Sequence, residues 1–181
     1  MVLNNKPQMF CAYFPQNFFY KSVVEKWTPI IQRMKLPYQS VDDFMNQQIQ
    51  TFTCPALNID FVTQQRGQYP VNYTSGKELE AILNRDISLT FKLTESYLSY
   101  FIMWDQIDTY LHYFHLHEET EIWMEPIHLS FLSDSGFELI KFTFREIIPL
   151  TLSEVSLSYA AQIASYSNFT FTMKYNYYEI S

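Results

Sequence analysis

Only 3 glycines and 2 cysteines occur among the 181 residues, and each scarcity removes a class of function. Loops that cradle phosphates need backbone freed from Cβ sterics, so a glycine-poor chain argues against a nucleotide site of that kind. Cys11 and Cys54 are too few and too isolated for a disulfide framework or a zinc knuckle, and two buried free thiols are expected. Basic residues are also sparse: 12 Lys and Arg stand against 19 Asp and Glu, for a net charge of −7. They are scattered singly, whereas a duplex-gripping surface needs clustered cations to displace counterions from phosphates. Tight nucleic-acid binding is therefore not expected. No apolar run approaches bilayer length. The opening Met1-Val-Leu-Asn-Asn-Lys-Pro-Gln8 lacks the apolar core of a signal peptide, so the expectation is a soluble chain, intracellular when made. Asn72-Tyr-Thr and Asn168-Phe-Thr match the glycosylation tripeptide and, without a secretory signal, read as chance.

What the chain does have is apolar and aromatic substance. Apolar residues make up 48% and aromatics 18%, mostly Phe (16) and Tyr (14). That is enough burial to offset ordering entropy in one domain of ordinary size. Tyr buries a ring while its hydroxyl stays wet, so part of the Tyr excess is expected between subunits.

The clearest local signal is the stretch Asn168 to Ser181. Phe169, Phe171, Met173, Tyr175 and Tyr177 share one parity, and Asn168, Thr170, Thr172, Lys174 and Asn176 the other. Strict alternation of this kind predicts one strand with one buried face. Chain ends usually fray, so such a strand must be tied down by partners within the subunit or across subunits. Gln8–Phe14, Gln50–Cys54 (with Asn58–Thr63 as an extension), Asp86–Leu93 and Leu152–Tyr159 read as further strands. Ile127–Leu132 and Phe137–Glu146 form a hairpin around Ser133-Asp-Ser-Gly136, and Pro149 is expected to break it. Helical periodicity begins at Asn17, with Pro29 kinking or dividing the helix and Pro37 stopping it. Ser40-Val-Asp-Asp43 resembles a capping box and predicts a second short helix. Thr94 or Ser96 can cap a longer helix, whose expected core stripe is Tyr97, Leu98, Phe101, Trp104, Ile107, Tyr110, Leu111 and Phe114. Residues 64–80 are polar, with Gly67, Pro70 and Gly76, and read as a long loop or irregular hairpin. The fold class expected is mainly β (α+β): a single domain over 1–181, with an N-terminal helical extension (1–48) and a β core (49–181) carrying a helix at 95–115.

Few residues nominate chemistry. His112, His115 and His117 with Glu118, Glu119 and Glu121 form the one metal-like cluster, to which His128 is a possible fourth imidazole. The competing reading is a polar helix end, where imidazoles are favoured by the partial negative charge of the helix C-terminus. No Gly-x-Ser-x-Gly elbow is present. The apolar setting of Cys54 raises a thiol pKa rather than activating it. Asp42 and Asp43 are explained as first-turn helix charges. No catalytic, cofactor-binding or metal residues are assigned, and no cofactor is implied.

Two stretches resemble the tail tube proteins of tailed bacteriophages and related contractile injection systems. One is Ile49-Gln-Thr-Phe-Thr-Cys-Pro-Ala-Leu57, similar to a strand-then-proline segment near the start of those domains. The other runs from Glu146-Ile-Ile-Pro-Leu-Thr-Leu-Ser-Glu-Val-Ser-Leu-Ser-Tyr159 to Phe169-Thr-Phe-Thr-Met-Lys-Tyr-Asn-Tyr-Tyr178, like the proline-led turn, short strand, linker and alternating aromatic strand that end them. Between lie a strand, a helix and a long hairpin in the same order. The resemblance implies an antiparallel β-barrel or sandwich with one flanking helix. It also implies six copies in a ring, and rings stacked into a hollow tube that passes DNA without specific binding. Its expected location is the virion tail after assembly in the host cytoplasm. Its expected partners are its own copies and other tail, baseplate, neck or sheath proteins, with no membrane. The helical region from Asn17 to Met45 departs from the compact pattern and leaves room for a tube initiator, a baseplate or a neck ring. Two readings of other classes compete. One is a metal-dependent enzyme using His115, His117 and Glu119; the other is a monomeric module holding a small apolar ligand between the sheet and the long helix. The acidic balance suits a lumen that repels phosphates, with Glu118, Glu119 and Glu121 as expected contributors.

Overall fold

Alternating strands with only one apolar face must pair those faces, and the protein does so as a two-sheet sandwich. The computed structural model describes residues 10–55, 61–74, 85–94, 97–116, 123–133, 135–155 and 168–181. In order they form β1 (Phe10–Tyr13), α1 (Lys21–Arg33), α2 (Val41–Gln48), β2 (Ile49–Thr53), β3 (Phe61–Arg66), β4 (Tyr69–Thr74), β5 (Asp86–Lys92), α3 (Leu98–Leu116), β6 (Ile127–Leu132), β7 (Glu138–Arg145), β8 (Ile148–Leu152), β9 (Asn168–Lys174) and β10 (Tyr177–Ile180). Sheet 1 has the order β1-β6-β7-β10, sheet 2 the order β2-β5-β9-β8, and β3-β4 stand as a separate hairpin. Every strand pair is antiparallel.

The core lies between the sheets. Ile87, Leu89, Phe91, Phe169, Phe171 and Met173 of sheet 2 and Ile127, Leu129 and Phe144 of sheet 1 are buried. Phe52 and Phe144 stack across the gap at 5.5 Å, and Phe91 and Phe169 stack within sheet 2 at 5.1 Å. Helix residues Val23, Ile31, Val41, Phe44, Met45, Leu98, Ile102 and Met103 close the same core.

The sandwich does not close into a barrel, because β1 and β2 share no ladder. Where such a ladder would run, α2 ties to the chain just after β1. The Asn46 amide accepts from Phe14 N–H at 2.7 Å and donates to Phe14 C=O at 3.1 Å. Since β1 pairs with β6, the 1–48 region supplies a strand of sheet 1 as well as two helices.

The alternation from Asn168 is not one strand but two, in different sheets. Phe169, Phe171, Met173 and Tyr175 are buried, whereas Tyr177 is 45% exposed. The chain bends at Asn176, so parity restarts. The partner strand bends alongside it: Phe142↔Ile180 and Arg145↔Tyr177 in sheet 1 continue in unbroken register as Ile148↔Lys174 and Pro149↔Met173 in sheet 2. At the corner Glu146 takes φ 54°, the left-handed region that non-glycine residues rarely enter. Its carboxylate accepts from Asn176 Nδ2 at 2.9 Å, and Asn176 N–H donates to Arg145 C=O at 3.2 Å. One antiparallel ribbon thus serves both sheets. β9 has a partner on each side, β5 and β8, so the terminal region is tied down within the subunit.

Several other expectations shift. α1 begins at Lys21 rather than Asn17, because Asn17 has φ 73° and Phe18 and Phe19 are buried in the approach. Pro29 sits inside α1 without dividing it. Pro29 and Glu25, four residues earlier, are both exposed, so the carbonyl that Pro29 cannot bond lies on the solvent side. α1 ends at Arg33 with Met34 as its C-cap, ahead of Pro37. Lys35 takes φ 54°, with Leu36 N–H to Ile31 C=O (3.5 Å) and Lys35 N–H to Gln32 C=O (3.0 Å), a Schellman closure normally given to glycine. Pro149 lies within β8, an edge strand that tolerates a missing donor. The expected strand at 152–159 is instead β8 at Ile148–Leu152, and residues from 156 lie outside the described set. Ser40 caps α2 as expected, accepting from Asp43 N–H at 3.1 Å. The segment 64–80 yields the β3–β4 hairpin; its remainder from 75 lies outside the described residues, as do Ser96 and 56–60.

Two substitutions test this packing. Phe171→Ala empties a fully buried site and should lower unfolding free energy in urea by roughly 3–5 kcal/mol. Lys35→Gly relieves a left-handed residue at little contact cost and should raise it by about 0.5–1 kcal/mol.

Candidate assembly surfaces

The metal-like cluster does not assemble among the described residues. His112 is exposed on α3, and the α3 backbone includes His115. His117, Glu118, Glu119 and Glu121 lie outside the described residues. No group of three His, Cys, Asp or Glu that could hold a metal occurs among the described residues. Cys11 and Cys54 are free but exposed, not buried as expected. Cys11 alternates with buried Ala12 along β1 and so takes the outward parity. Partial desolvation still raises both thiols above the ordinary range, aided at Cys11 by the Glu138 carboxylate.

What the structure does present is uncovered apolar surface and open strand edges. α3 buries Leu98, Ser99, Ile102, Met103, Gln106 and Tyr110, whereas the expected stripe members Phe101 (48%), Trp104 (56%) and Leu111 (47%) are exposed. The buried face is turned by about one residue from the one expected. α3 is apolar nearly all round, so periodicity could not choose a face. Hydrogen bonding chose it. Gln106 accepts from Tyr20 N–H (3.0 Å) and donates to Phe18 C=O (2.9 Å), and Ser99 Oγ donates to Lys92 C=O (3.0 Å). At the rim, Asp105 accepts from Trp27 Nε1 at 2.6 Å and from Lys26 Nζ at 2.5 Å, clamping α1 to α3. Tyr20 stacks on Tyr113 at 5.3 Å, and burial, with lesser contributions from nearby Tyr and Glu125, pushes its hydroxyl up to about 12.

The outward face of α3 and the edge strand β8 together line an open groove of about 370 Å³, formed by Trp104, Ile107, Asp108, Leu111 and Pro149–Leu152. A second uncovered patch lies where the β6–β7 hairpin overhangs the core, exposing Phe131, Phe137, Leu139 and Ile140. Each sheet ends in short or irregular edges. β1 and β10 have four residues each, and β2 and β8 each carry a register shift. Features of this sort limit indiscriminate pairing while leaving edges open to a matched partner.

The two sheets differ on their outer faces. Sheet 2 carries a hydroxyl ladder, with Ser88 and Thr172 at 3.1 Å and Thr90 and Thr170 at 3.4 Å. Sheet 1 carries charge. Arg145 pairs with Glu179 at 3.0 Å, Ser130 donates to Glu138, and His128 Nδ1 lies 3.1 Å from Thr143 Oγ1 with its ring 5.0 Å from Tyr13. Desolvation first, then the Lys141 and Arg145 cations, lower the His128 pKa below its ordinary 6.5, while Glu138 opposes them. The unfolded chain then takes up the proton at higher pH than the fold. The resulting stability is full above 6.5 and falls as pH drops through the window beneath it. His128→Gln, which keeps a polar partner for Thr143, should flatten that part of the stability–pH curve relative to wild type in thermal melts.

No family model and no curated protein matches the sequence. Solved structures do. A chain of the extended sheath–tube complex of an extracellular contractile injection system (PVC) is 11% identical, with 99% of this chain and 93% of that chain covered and a TM-score of 0.52. A chain of the anti-feeding prophage tube-terminating cap is 10% identical over 96% of this chain and 87% of that one, with a TM-score of 0.49. A chain of the anti-feeding prophage baseplate is 11% identical over 74% and 78%, with a TM-score of 0.45. At 0.52 over almost the whole chain, the first supports a fold shared with that component of the sheath–tube complex, here an open sandwich of antiparallel sheets with three helices among the described residues.

Proposed function

We propose that this protein is a structural component of a phage-tail-like particle. In this reading its copies close into a ring, six on the resemblance drawn from the sequence, and rings stack into a tube. The carrying observation is the fold, which corresponds over 99% of the chain to a component of a sheath–tube complex. Two features of the molecule support it. Among the described residues open edges bound both sheets, and a head-to-tail contact between unlike edges of identical copies generates a ring when the rotation closes. Large apolar side chains also stand uncovered on α3 and on the β6–β7 overhang, as on surfaces that meet other protein. Of the terminal alternation, β9 gives no such support, being paired on both sides internally, and β10 alone is left as an edge among the described residues.

The proposed cargo of the tube is DNA passing without specific binding. Among the described residues, the hydroxyl ladder of sheet 2 suits such a wall, since Ser and Thr hold phosphate far less strongly than a stripe of cations. Contribution of Glu118, Glu119 and Glu121 to the same wall belongs to this proposal. So do partnership with other tail, neck, baseplate or sheath proteins, residence in the particle, and the absence of an enzymatic role. The domain division follows the same reading: a helix-bearing N-terminal extension on a β core.

Purified protein taken through a concentration series should show rings or short tubes by negative-stain microscopy, with a matching rise in light scattering. A particle that stays monomeric at the highest soluble concentration, with or without seed tubes, sinks the reading.

A further inference from the structure

The β3–β4 hairpin is amphipathic yet has no core of its own. Residues paired directly across an antiparallel ladder share a face. Arg66↔Tyr69 and Gln64↔Val71 therefore place Arg66 and Gln64 beside Tyr69, Val71 and Tyr73. The opposite face carries Thr63, Gln65, Pro70 and Asn72, with Thr63 Oγ1 donating to Asn72 Oδ1 at 2.7 Å. Side chains from Thr63 to Tyr73 are all exposed, and Tyr69 is 74% exposed. An isolated two-stranded hairpin is marginal in water, and an aromatic face on it calls for cover. Its single charged side chain on this face, Arg66, lies over the Tyr73 ring at 5.4 Å.

The groove between α3 and β8 has the reciprocal character. Its walls are Trp104, Ile107, Leu111 and Leu150, and its one charge among the described residues is the carboxylate of Asp108. The neighbouring Asp105 is already engaged by Lys26 and Trp27. Dimensions agree as well. Trp104 to Leu111 spans about 10 Å of helix, and Tyr69 to Tyr73 spans about 13 Å of strand. One aromatic strip with one cation is the complement of one apolar trough with one anion.

We infer that the groove is the seat of the β3–β4 hairpin of a second copy, with Arg66 of one copy opposite Asp108 of the next. The contact is heterologous, so each copy offers a hairpin and a groove and the chain of contacts can continue. It rests on the assembly reading above and assigns the surfaces that carry it. Complementary charge sets the register, and the Tyr and Trp rings supply the buried area.

The test uses full chains with Cys11→Ser and Cys54→Ser, one bearing Tyr69→Cys and the other Leu150→Cys, mixed and mildly oxidised. A mixed disulfide dimer that forms only when both chains are present is the expected product. In parallel, Arg66→Glu should raise the concentration needed for assembly by about tenfold, and Asp108→Arg added to the same chain should restore it. Both sites lie on the surface, and circular dichroism of the dilute monomers checks that folding is intact. If wild type assembles but no mixed disulfide forms and the charge reversal has no effect, the hairpin-to-groove contact is wrong and the assembly reading stands. Closure of the disulfide within a single chain carrying both cysteines, without mixed dimer, also overturns it by seating the hairpin on its own groove. A wild type that never leaves the monomer removes both.

Discussion

Everything in the sandwich hangs on the bent ribbon in which β7–β8 and β9–β10 keep one register around a corner. Because that ladder is continuous, the two sheets cannot slide relative to each other without breaking backbone bonds on both sides of Glu146 and Asn176. A one-residue slip would also turn Phe169, Phe171 and Met173 out of the core. The strain of a left-handed Glu146 is therefore held by surroundings that allow no alternative, and its carboxylate bond to Asn176 fixes the turn from within. The ribbon uses one side of each partner strand for this purpose, which is why β10 and β8 emerge as edges among the described strands.

The helices complete the body by polar clamps rather than by apolar fit alone. Asn46 and Gln106 each hold a backbone donor and a backbone acceptor in the segment Phe14 to Tyr20. A buried amide such as Gln106, left half-satisfied, would cost more than its bonds contribute, so this position dictates how α3 rotates. The rotation of α3 has a functional consequence. By turning Gln106 and Ser99 inward it sends Phe101, Trp104 and Leu111 outward, the last two beside β8. The groove is thus a by-product of satisfying the core.

Much of the strand map was legible from residue pattern alone. Ile87, Leu89 and Phe91 alternate with Ser88, Thr90 and Lys92 and are buried as the parity requires. Gly136 sits in the hairpin turn at φ 81°, and Ser40 caps α2 through its hydroxyl. Errors arose where local rules were overruled from a distance. Lys35 does the work expected of a glycine, and Pro149 remains in a strand because that strand is an edge. On α3 the apolar residues were correctly placed on a helix, but an all-round apolar helix carries no directional signal.

The sequence by itself determined the one-faced strands, the helix positions, the acidic and glycine-poor character, and the resemblance to tube proteins, because each is a property of neighbouring residues. Only the tertiary structure decided that the terminal alternation divides between two sheets, that the sandwich stays open, and which side of α3 meets solvent. Those outcomes depend on pairings between residues 30 to 90 positions apart, such as Asn176 with Glu146 and Gln106 with Phe18. Such bonds are chosen by the whole packed body, and no local window of residues contains the competition they win.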